Sequence, residues 1–107
     1  MDYDQIADDV VKAAFIAWNS RRKETLVELM SDDIIFIHNG EKADIIAFSD
    51  QLFFGETSAK FTELHKAENA GKTVFATLES VLTGKVEVLM HFETSNGKIS
   101  FLDAGRP

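Results

Sequence analysis

Apolar residues follow a helical spacing in the first half of the chain. Between residues 4 and 18 they recur three or four positions apart, which predicts an amphipathic helix. Asn19 or Ser20 interrupts this pattern and is typical of a residue that caps a second helix. The apolar face of that second helix holds Leu26, Leu29 and Met30. A third helix is predicted over 43–54, and one of its faces holds Ile45, Phe48 and Leu52.

The segment between the second and third helices has the composition of a strand. Residues 34–37 are β-branched or aromatic and lead to His38, which predicts a short strand buried on both faces. The pair Asn39-Gly40 that follows is typical of a tight turn. The chain is therefore expected to reverse direction before the third helix.

Three glycine-containing turns divide the second half of the chain, and each lies 13 residues after the one before. They are Ala70-Gly71-Lys72, Thr83-Gly84-Lys85 and Asn96-Gly97-Lys98. Glycine adopts the positive φ that two-residue hairpin turns need. An antiparallel meander is therefore predicted, with strands over 58–69, 72–82, 85–95 and 98–104. These strands carry apolar residues on both faces while the helices cover one face, so the other face is expected to form a homodimer interface.

Length and charge limit the classes of function. A chain of 107 residues has room for one domain, so residues 1–107 are expected to form a single α+β domain. The 18 acidic residues outnumber the 11 basic ones and give a net charge of −7, which makes nucleic acid a poor partner. No apolar stretch approaches the roughly 20 residues that span a bilayer, and the acidic N-terminus is unlike a signal peptide. We therefore expect a water-soluble, cytoplasmic protein with no membrane partner.

The sequence indicates neither a metal nor a cofactor. There is no cysteine, which excludes disulfides and thiolate metal sites. His65 and His91 are predicted to share one sheet face, but two strand spacings, about 10 Å, separate them. That is too far for one ion without a third converging ligand. No phosphate-binding loop or dinucleotide-binding pattern is present.

The order of these elements resembles the nuclear transport factor 2-like fold, in particular its SnoaL-like and ketosteroid isomerase-like members. One stretch that carries the resemblance runs from Ala17-Trp18-Asn19 through Leu29-Met30-Ser31-Asp32-Asp33 to Asn39-Gly40. The other runs from His91-Phe92 through Asn96-Gly97-Lys98-Ile99 to Asp103. The resemblance implies an α+β cone, in which a curved antiparallel sheet wraps around three N-terminal helices and leaves a pocket at its open end. Members include ketosteroid isomerases, polyketide cyclases, dehydratases and proteins that only bind.

The groups needed for steroid isomerisation are missing. That reaction uses a carboxylate base, a tyrosine donor and a protonated acid in an apolar site. Matching the chain to this pattern places His38, Ala14 and Met90 at the three positions. Because no oxyanion-binding group is left, steroid isomerisation is not expected.

His38 and Asp103 are the candidate catalytic residues. Counting back from the last turn places Met90 opposite Asp103, on the face that the resemblance makes concave. The resemblance also sets the last strand beside the first, which brings Asp103 near His38. A carboxylate bound to one imidazole nitrogen orients the ring, and the other nitrogen then takes a proton from a carbon acid. The alternative is that His38 is an ordinary strand-end residue and that Asp103 pairs with Arg106 or Lys98.

The expected ligand-binding residues are apolar. Six side chains are placed around the pocket: Trp18, Phe36, Phe75, Met90, Phe92 and Phe101. Trp18 also fits an alternative role in core packing. The leading hypothesis is a small apolar ligand in a cone pocket, bound by an isomerase, cyclase or dehydratase that acts on a carbonyl compound. The alternative is a non-catalytic interaction or accessory module, whose nine phenylalanines fill the core.

Overall fold

The computed structural model describes residues 1–107. The helices are α1 (Asp9–Asn19), α2 (Lys23–Leu29) and α3 (Ile45–Ser49), and α3 continues into a π-helical turn over Asp50–Phe54. The strands are β1 (Met30–His38), β2 (Glu41–Ala43), β3 (Lys60–Glu68), β4 (Thr73–Ser80), β5 (Gly84–Ser95) and β6 (Lys98–Gly105). Short 3₁₀ turns cover Tyr3–Gln5 and Asn69–Gly71. None of the helices has the length and apolar character needed to cross a bilayer.

Helix α1 begins later than the hydrophobic pattern predicts. Asp8 stands at its N-cap, and the Asp8 carboxylate accepts hydrogen bonds from two backbone N–H groups of the first turn, at 2.9 and 3.0 Å. At the other end, Asn19 is the last residue of α1. The N-cap of α2 is Arg22, whose side chain makes no capping hydrogen bond. The prediction that Asn19 or Ser20 caps the second helix is therefore wrong.

The basic run after α1 attaches the π-helical turn to the rest of the molecule. Lys23 Nζ lies 2.8 Å from Asp50 Oδ1, the first residue of that turn. The Arg21 guanidinium donates to the backbone carbonyls of Phe54, at 3.3 Å, and Gly55, at 2.9 Å. The predicted third helix is thus divided into a short α-helix and a π-helical turn that the basic side chains hold in place.

The sheet is mixed, and its strand order is β2-β1-β6-β5-β4-β3. Strands β3 to β6 form the predicted antiparallel meander. Strand β1 runs parallel to β6, with His38 beside Ala104. Strand β2, which the hydrophobic pattern does not predict, pairs with β1 across the Asn39-Gly40 turn. The α+β class, with three helices packed on one sheet, is confirmed, but the sheet is open and not purely antiparallel.

The β4–β5 turn reverses the expected orientation of β4. It spans the three residues 81–83 in place of the predicted two-residue turn, so Ser80 pairs with Gly84. A change of one residue in register exchanges the two faces of a strand. Val74 therefore lies on the inner face, which the helices cover, and Phe75 lies on the outer face. The orientation predicted for Phe75 is wrong.

A bulge at Ser100 reverses the expected orientation of the end of β6. The register shifts by one residue between the β5–β6 pairs on either side of it. Phe101 and Asp103 therefore lie on the outer face. Met90 lies opposite Ala104, and the predicted pairing of Met90 with Asp103 is wrong.

An aromatic cluster fills the space between α1, the π-helical turn and the inner face of the sheet. The ring centroids of neighbouring members lie 4.7 to 6.5 Å apart. Its members are all buried: Phe15, Trp18, Phe53, Phe61 and Phe92. Aromatic pairs at these distances stabilise a core beyond the area they bury.

A side-chain clamp joins the end of α1 to the start of β3. Asn19 Oδ1 accepts a hydrogen bond from the Phe61 N–H at 2.8 Å, and Asn19 Nδ2 donates to the Phe61 carbonyl at 2.9 Å. The same Nδ2 donates to the Tyr3 hydroxyl at 2.8 Å. Asn19 therefore ties three segments together, which is a different role from helix capping.

Candidate functional site

A cavity of about 560 Å³ lies between the inner face of the sheet and α3. Of its 23 lining residues, 16 are apolar. Buried side chains form its floor, among them Trp18, Phe36, Phe61, Met90 and Leu102. Exposed residues of α3, of the β1–β2 turn and of the β4–β5 turn form its mouth, which is open to solvent. This volume and lining are typical of a small-molecule site.

The polar edge of the mouth is built by two parallel strands that end together. His38 is the last residue of β1 and lies beside Ala104 of β6. The turn residue Asn39 donates its backbone N–H to the Ala104 carbonyl at 2.9 Å. Arg106 follows directly after β6. The parallel pairing therefore places His38, Asn39 and Arg106 on the same side of the cavity.

His38 lies against aromatic rings at this edge. Its ring centroid is 4.9 Å from that of Phe48 and 6.0 Å from that of Phe36. His38 Nε2 is 3.4 Å from Asn39 Nδ2, the one hydrogen-bond contact of the ring. The imidazole is half-buried and belongs to the cavity wall. It is thus a polar group with an unpaired Nδ1 beside an apolar space.

Asp103 does not join His38. In the sheet, Asp103 lies between Ile37 of β1 and His91 of β5, on the outer face. Neighbouring residues of a strand point to opposite faces, so the side chains of His38 and Asp103 point away from each other. No ion pair within 4 Å involves Asp103, with Arg106 or any other residue. The geometry of the predicted His38–Asp103 dyad is therefore absent.

The six predicted ligand-binding side chains divide into two groups. Trp18, Phe36 and Met90 lie on the cavity wall. Phe92 is buried within the aromatic cluster and does not reach the cavity. The two that the structure places on the outer face are Phe75, whose ring centroid is 5.0 Å from that of His65, and Phe101.

The third helix and the turns supply wall residues that were not predicted to line a pocket. Phe48 and Leu52 lie on the wall and belong to the apolar face predicted for that helix. Their spacing was a usable signal, because a helix that covers the open end of a sheet points its apolar face inward. Leu82 of the β4–β5 turn also lines the cavity, with its side chain 66% exposed.

Two other polar side chains around the cavity are already engaged. Asp44 Oδ1 caps α3 by accepting from the backbone N–H groups of Ile46, at 2.9 Å, and Ala47, at 3.2 Å. The Thr83 hydroxyl contacts Ser80 Oγ at 2.8 Å. Elsewhere, Glu68 raises the pKa of Lys66 through a hydrogen bond and its charge, at the exposed end of β3.

The other two histidines lie away from the cavity and from each other. His65 Nε2 contacts Thr77 Oγ1 at 2.7 Å, and His91 Nδ1 contacts Thr73 Oγ1 at 3.2 Å. The structure contains no cluster of three or more histidine, aspartate or glutamate side chains with the geometry of a metal site. Each histidine is paired with a threonine of β4.

Solved structures share this architecture. A candidate polyketide cyclase from Sinorhizobium meliloti superposes with a TM-score of 0.73 at 18% identity, covering 91% of this chain and 94% of that one. A candidate ketosteroid isomerase from Kribbella flavida gives 0.73 at 15% identity, with 97% and 78% coverage. An NTF2-like protein of unknown function from Cytophaga hutchinsonii gives 0.68 at 13% identity, with 90% and 85% coverage. No family model and no curated protein matches the sequence.

The chain therefore has the nuclear transport factor 2-like fold, as its sequence predicts. At identities of 13–18%, this similarity shows the fold alone, and an activity has to be inferred from the residues of the site.

Proposed function

We propose that the protein binds a small apolar molecule in the cavity between α3 and the inner face of the sheet. The observation that carries this proposal is the open cavity of about 560 Å³ with a mainly apolar wall. A filled core, which the alternative of a pure interaction module needs, does not agree with a space of this size. The aromatic cluster occupies the region below the cavity and leaves the cavity itself free.

The chemistry proposed for this site is acid/base catalysis on a carbonyl compound, by His38 alone. The imidazole takes a proton from the carbon next to the carbonyl, which leaves an enolate, and the imidazolium then returns a proton to that carbon or to another one. Between the two transfers the ring proton exchanges with water at the open mouth, and the return of a proton to carbon restores the carbonyl and the neutral ring. Asn39 is the neighbour of the ring in place of the predicted aspartate, but its Nδ2–H donates to His38 Nε2, at 3.4 Å. Nε2 therefore carries the lone pair and is the nitrogen that takes the proton once this long contact is released. Two similar structures, of a candidate cyclase and a candidate isomerase, support this reaction class.

Proton exchange on a simple ketone tests both parts of the proposal. In H₂O, binding of 2-decanone is expected to shift the amide signals of cavity residues, and in D₂O catalysis is expected to exchange the protons next to the carbonyl faster than buffer does. His38→Gln is expected to lower the enzymatic exchange by about a hundredfold or more, the usual contribution of one acid/base group. His65→Gln, on the outer face, is the matched control and is expected to keep the wild-type rate. If the wild type binds 2-decanone but does not accelerate the exchange of its protons, the acid/base chemistry is wrong and the protein only binds the ketone.

We also propose a homodimer through the outer face of the sheet. Half-buried Phe75, Leu89 and Phe101 and the 44% exposed Ile35 give this face an apolar centre. One acidic and one basic side chain lie side by side on it, where Glu79 of β4 pairs with Lys85 of β5. A twofold axis pairs such a surface with itself.

A further inference from the structure

We infer that the ligand of the cavity is an apolar carboxylic acid, whose carboxylate binds Arg106 at the mouth while its hydrocarbon part fills the floor. This inference rests on the proposed binding function and names the ligand class. The charged side chains at the mouth of the cavity are unevenly distributed.

Arg106 is the permanently charged cation of the cavity wall. It makes no ion pair within 4 Å in a chain whose net charge is −7. An arginine left without a carboxylate partner in such an acidic protein retains all five of its donors for a ligand. Its planar fork matches both oxygens of a carboxylate.

The one acidic side chain on the cavity wall does not compete for Arg106. Asp44 is that residue, and one of its oxygens already accepts two backbone hydrogen bonds at the N-terminus of α3. No ion pair joins Asp44 to Arg106. The cationic edge therefore stays open to an external anion.

The neighbours of Arg106 supply further donors on the same edge. Asn39 lies against Gly105, where a Cβ would come within 3.1 Å of Asn39 Oδ1. This close approach fixes the Asn39 amide beside the end of β6, with His38 next to it. An anion at this edge thus meets a guanidinium, an amide and an imidazole, while buried apolar side chains such as Met90 and Leu102 form the floor.

The arrangement separates the two ends of the ligand. The floor is apolar, and an ionised carboxylate placed there would lose its hydration without a partner. At the mouth the carboxylate remains partly hydrated and gains a charged donor. The ligand is therefore oriented with its acid group outward, and a carbonyl further along its chain reaches the interior past His38.

Two probes of equal chain length test the inference, decanoate and decan-1-ol, with the fluorescence of Trp18 as the readout. Trp18 is the one tryptophan of the chain and lines the cavity. Arg106→Gln is expected to weaken decanoate binding about threefold to tenfold, as for a partly exposed charge pair, and to change decan-1-ol binding less than about twofold. Arg22→Gln removes the same charge from an exposed position outside the cavity and is expected to leave both affinities unchanged.

The outcomes separate this inference from the binding function. The acid-binding role of Arg106 is wrong if Arg106→Gln weakens the binding of both probes equally or of neither. It is also wrong if Arg22→Gln weakens decanoate binding as much as Arg106→Gln does. In either case the apolar cavity remains a binding site. If neither probe changes Trp18 emission or binds by calorimetry, the binding function itself fails. Raising the salt concentration to about 1 M is expected to reduce the effect of Arg106→Gln, because exposed charges are screened.

Discussion

The indole N–H of Trp18 donates a hydrogen bond to the Ser49 hydroxyl at 3.0 Å, and both side chains are buried. This bond ties α1 to the end of α3 at the floor of the cavity. Because α3 forms one wall of the cavity, this polar contact inside the apolar core helps to fix the position of that wall. The contact also keeps the one buried indole nitrogen satisfied.

Ser49→Ala is expected to destabilise the protein. The substitution leaves the Trp18 N–H buried without an acceptor, at a cost of about 1–3 kcal/mol in the free energy of unfolding. Urea unfolding followed by circular dichroism measures it. Ser95→Ala, at an exposed position of β5, is the control and should stay within about 0.5 kcal/mol of the wild type. An equal effect of the two changes would show that the Trp18 bond contributes nothing.

Asn19→Asp is expected to open the clamp between α1 and β3. Aspartate still accepts from the Phe61 N–H, but it has no N–H to give to the Phe61 carbonyl or the Tyr3 hydroxyl. We expect a loss of about 1–3 kcal/mol in urea unfolding. Asn69→Asp adds the same charge at an exposed turn and serves as control. The clamp is refuted if both variants unfold at the same urea concentration.

Cysteine pairs test the register of β5 and β6. The chain has no cysteine of its own, so any disulfide reports the designed pair. His91→Cys with Asp103→Cys is expected to oxidise, because directly paired residues have Cα atoms about 4.5–5.5 Å apart, within disulfide range. Met90→Cys with Asp103→Cys is expected to keep two free thiols, because these side chains lie on opposite faces. Thiol titration after air oxidation distinguishes the two double variants. If the second pair oxidises and the first does not, the register without the bulge is the correct one.

Phe101→Lys is expected to disrupt the proposed homodimer. Two lysines then meet near the twofold axis, where the wild type brings apolar rings together. Sedimentation equilibrium should give twice the chain mass for the wild type and a concentration-dependent shift to the monomer for the variant. Thr62→Lys, exposed on β3, is the control. A monomeric wild type at high protein concentration rules out the dimer.

The order of elements could be predicted from the sequence because it depends on periodicity and glycine turns. The meander, the third helix and the strand ending at His38 all follow from such local signals. The face of the sheet on which a side chain lies depends on counting residues correctly from each turn. That count was wrong in two strands, β4 and β6. Composition indicates neither the third residue of the β4–β5 turn nor the bulge at Ser100. Together these two features place Phe75, Phe101 and Asp103 on the outer face.

The candidate site was predicted only in part for the same reason. His38 belongs to a short strand beside a recognisable turn, and the structure places it on the cavity wall. Its partner, Asp103, was inferred from a register that ignored the bulge at Ser100, three residues earlier, and correcting that register removes the dyad. Arg106 was not selected because it follows the last residue of β6, where the alternation of strand side chains no longer predicts which way a side chain points. The single domain, the cytoplasmic location and the absence of a cofactor stay predictions.

If the cavity binds an apolar molecule, filling its floor with a larger side chain should weaken that binding. Ala104→Leu adds volume at the floor, beside Met90, whereas Ser95→Leu adds the same side chain to an exposed position. The measurement is a titration of Trp18 fluorescence with 2-decanone for the wild type and both variants, after thermal unfolding has shown each to be folded. We expect saturable binding by the wild type that weakens at least about tenfold, or 1.4 kcal/mol, in Ala104→Leu and is unchanged in Ser95→Leu. Equal binding by all three proteins, or no saturable binding by the wild type, would contradict it.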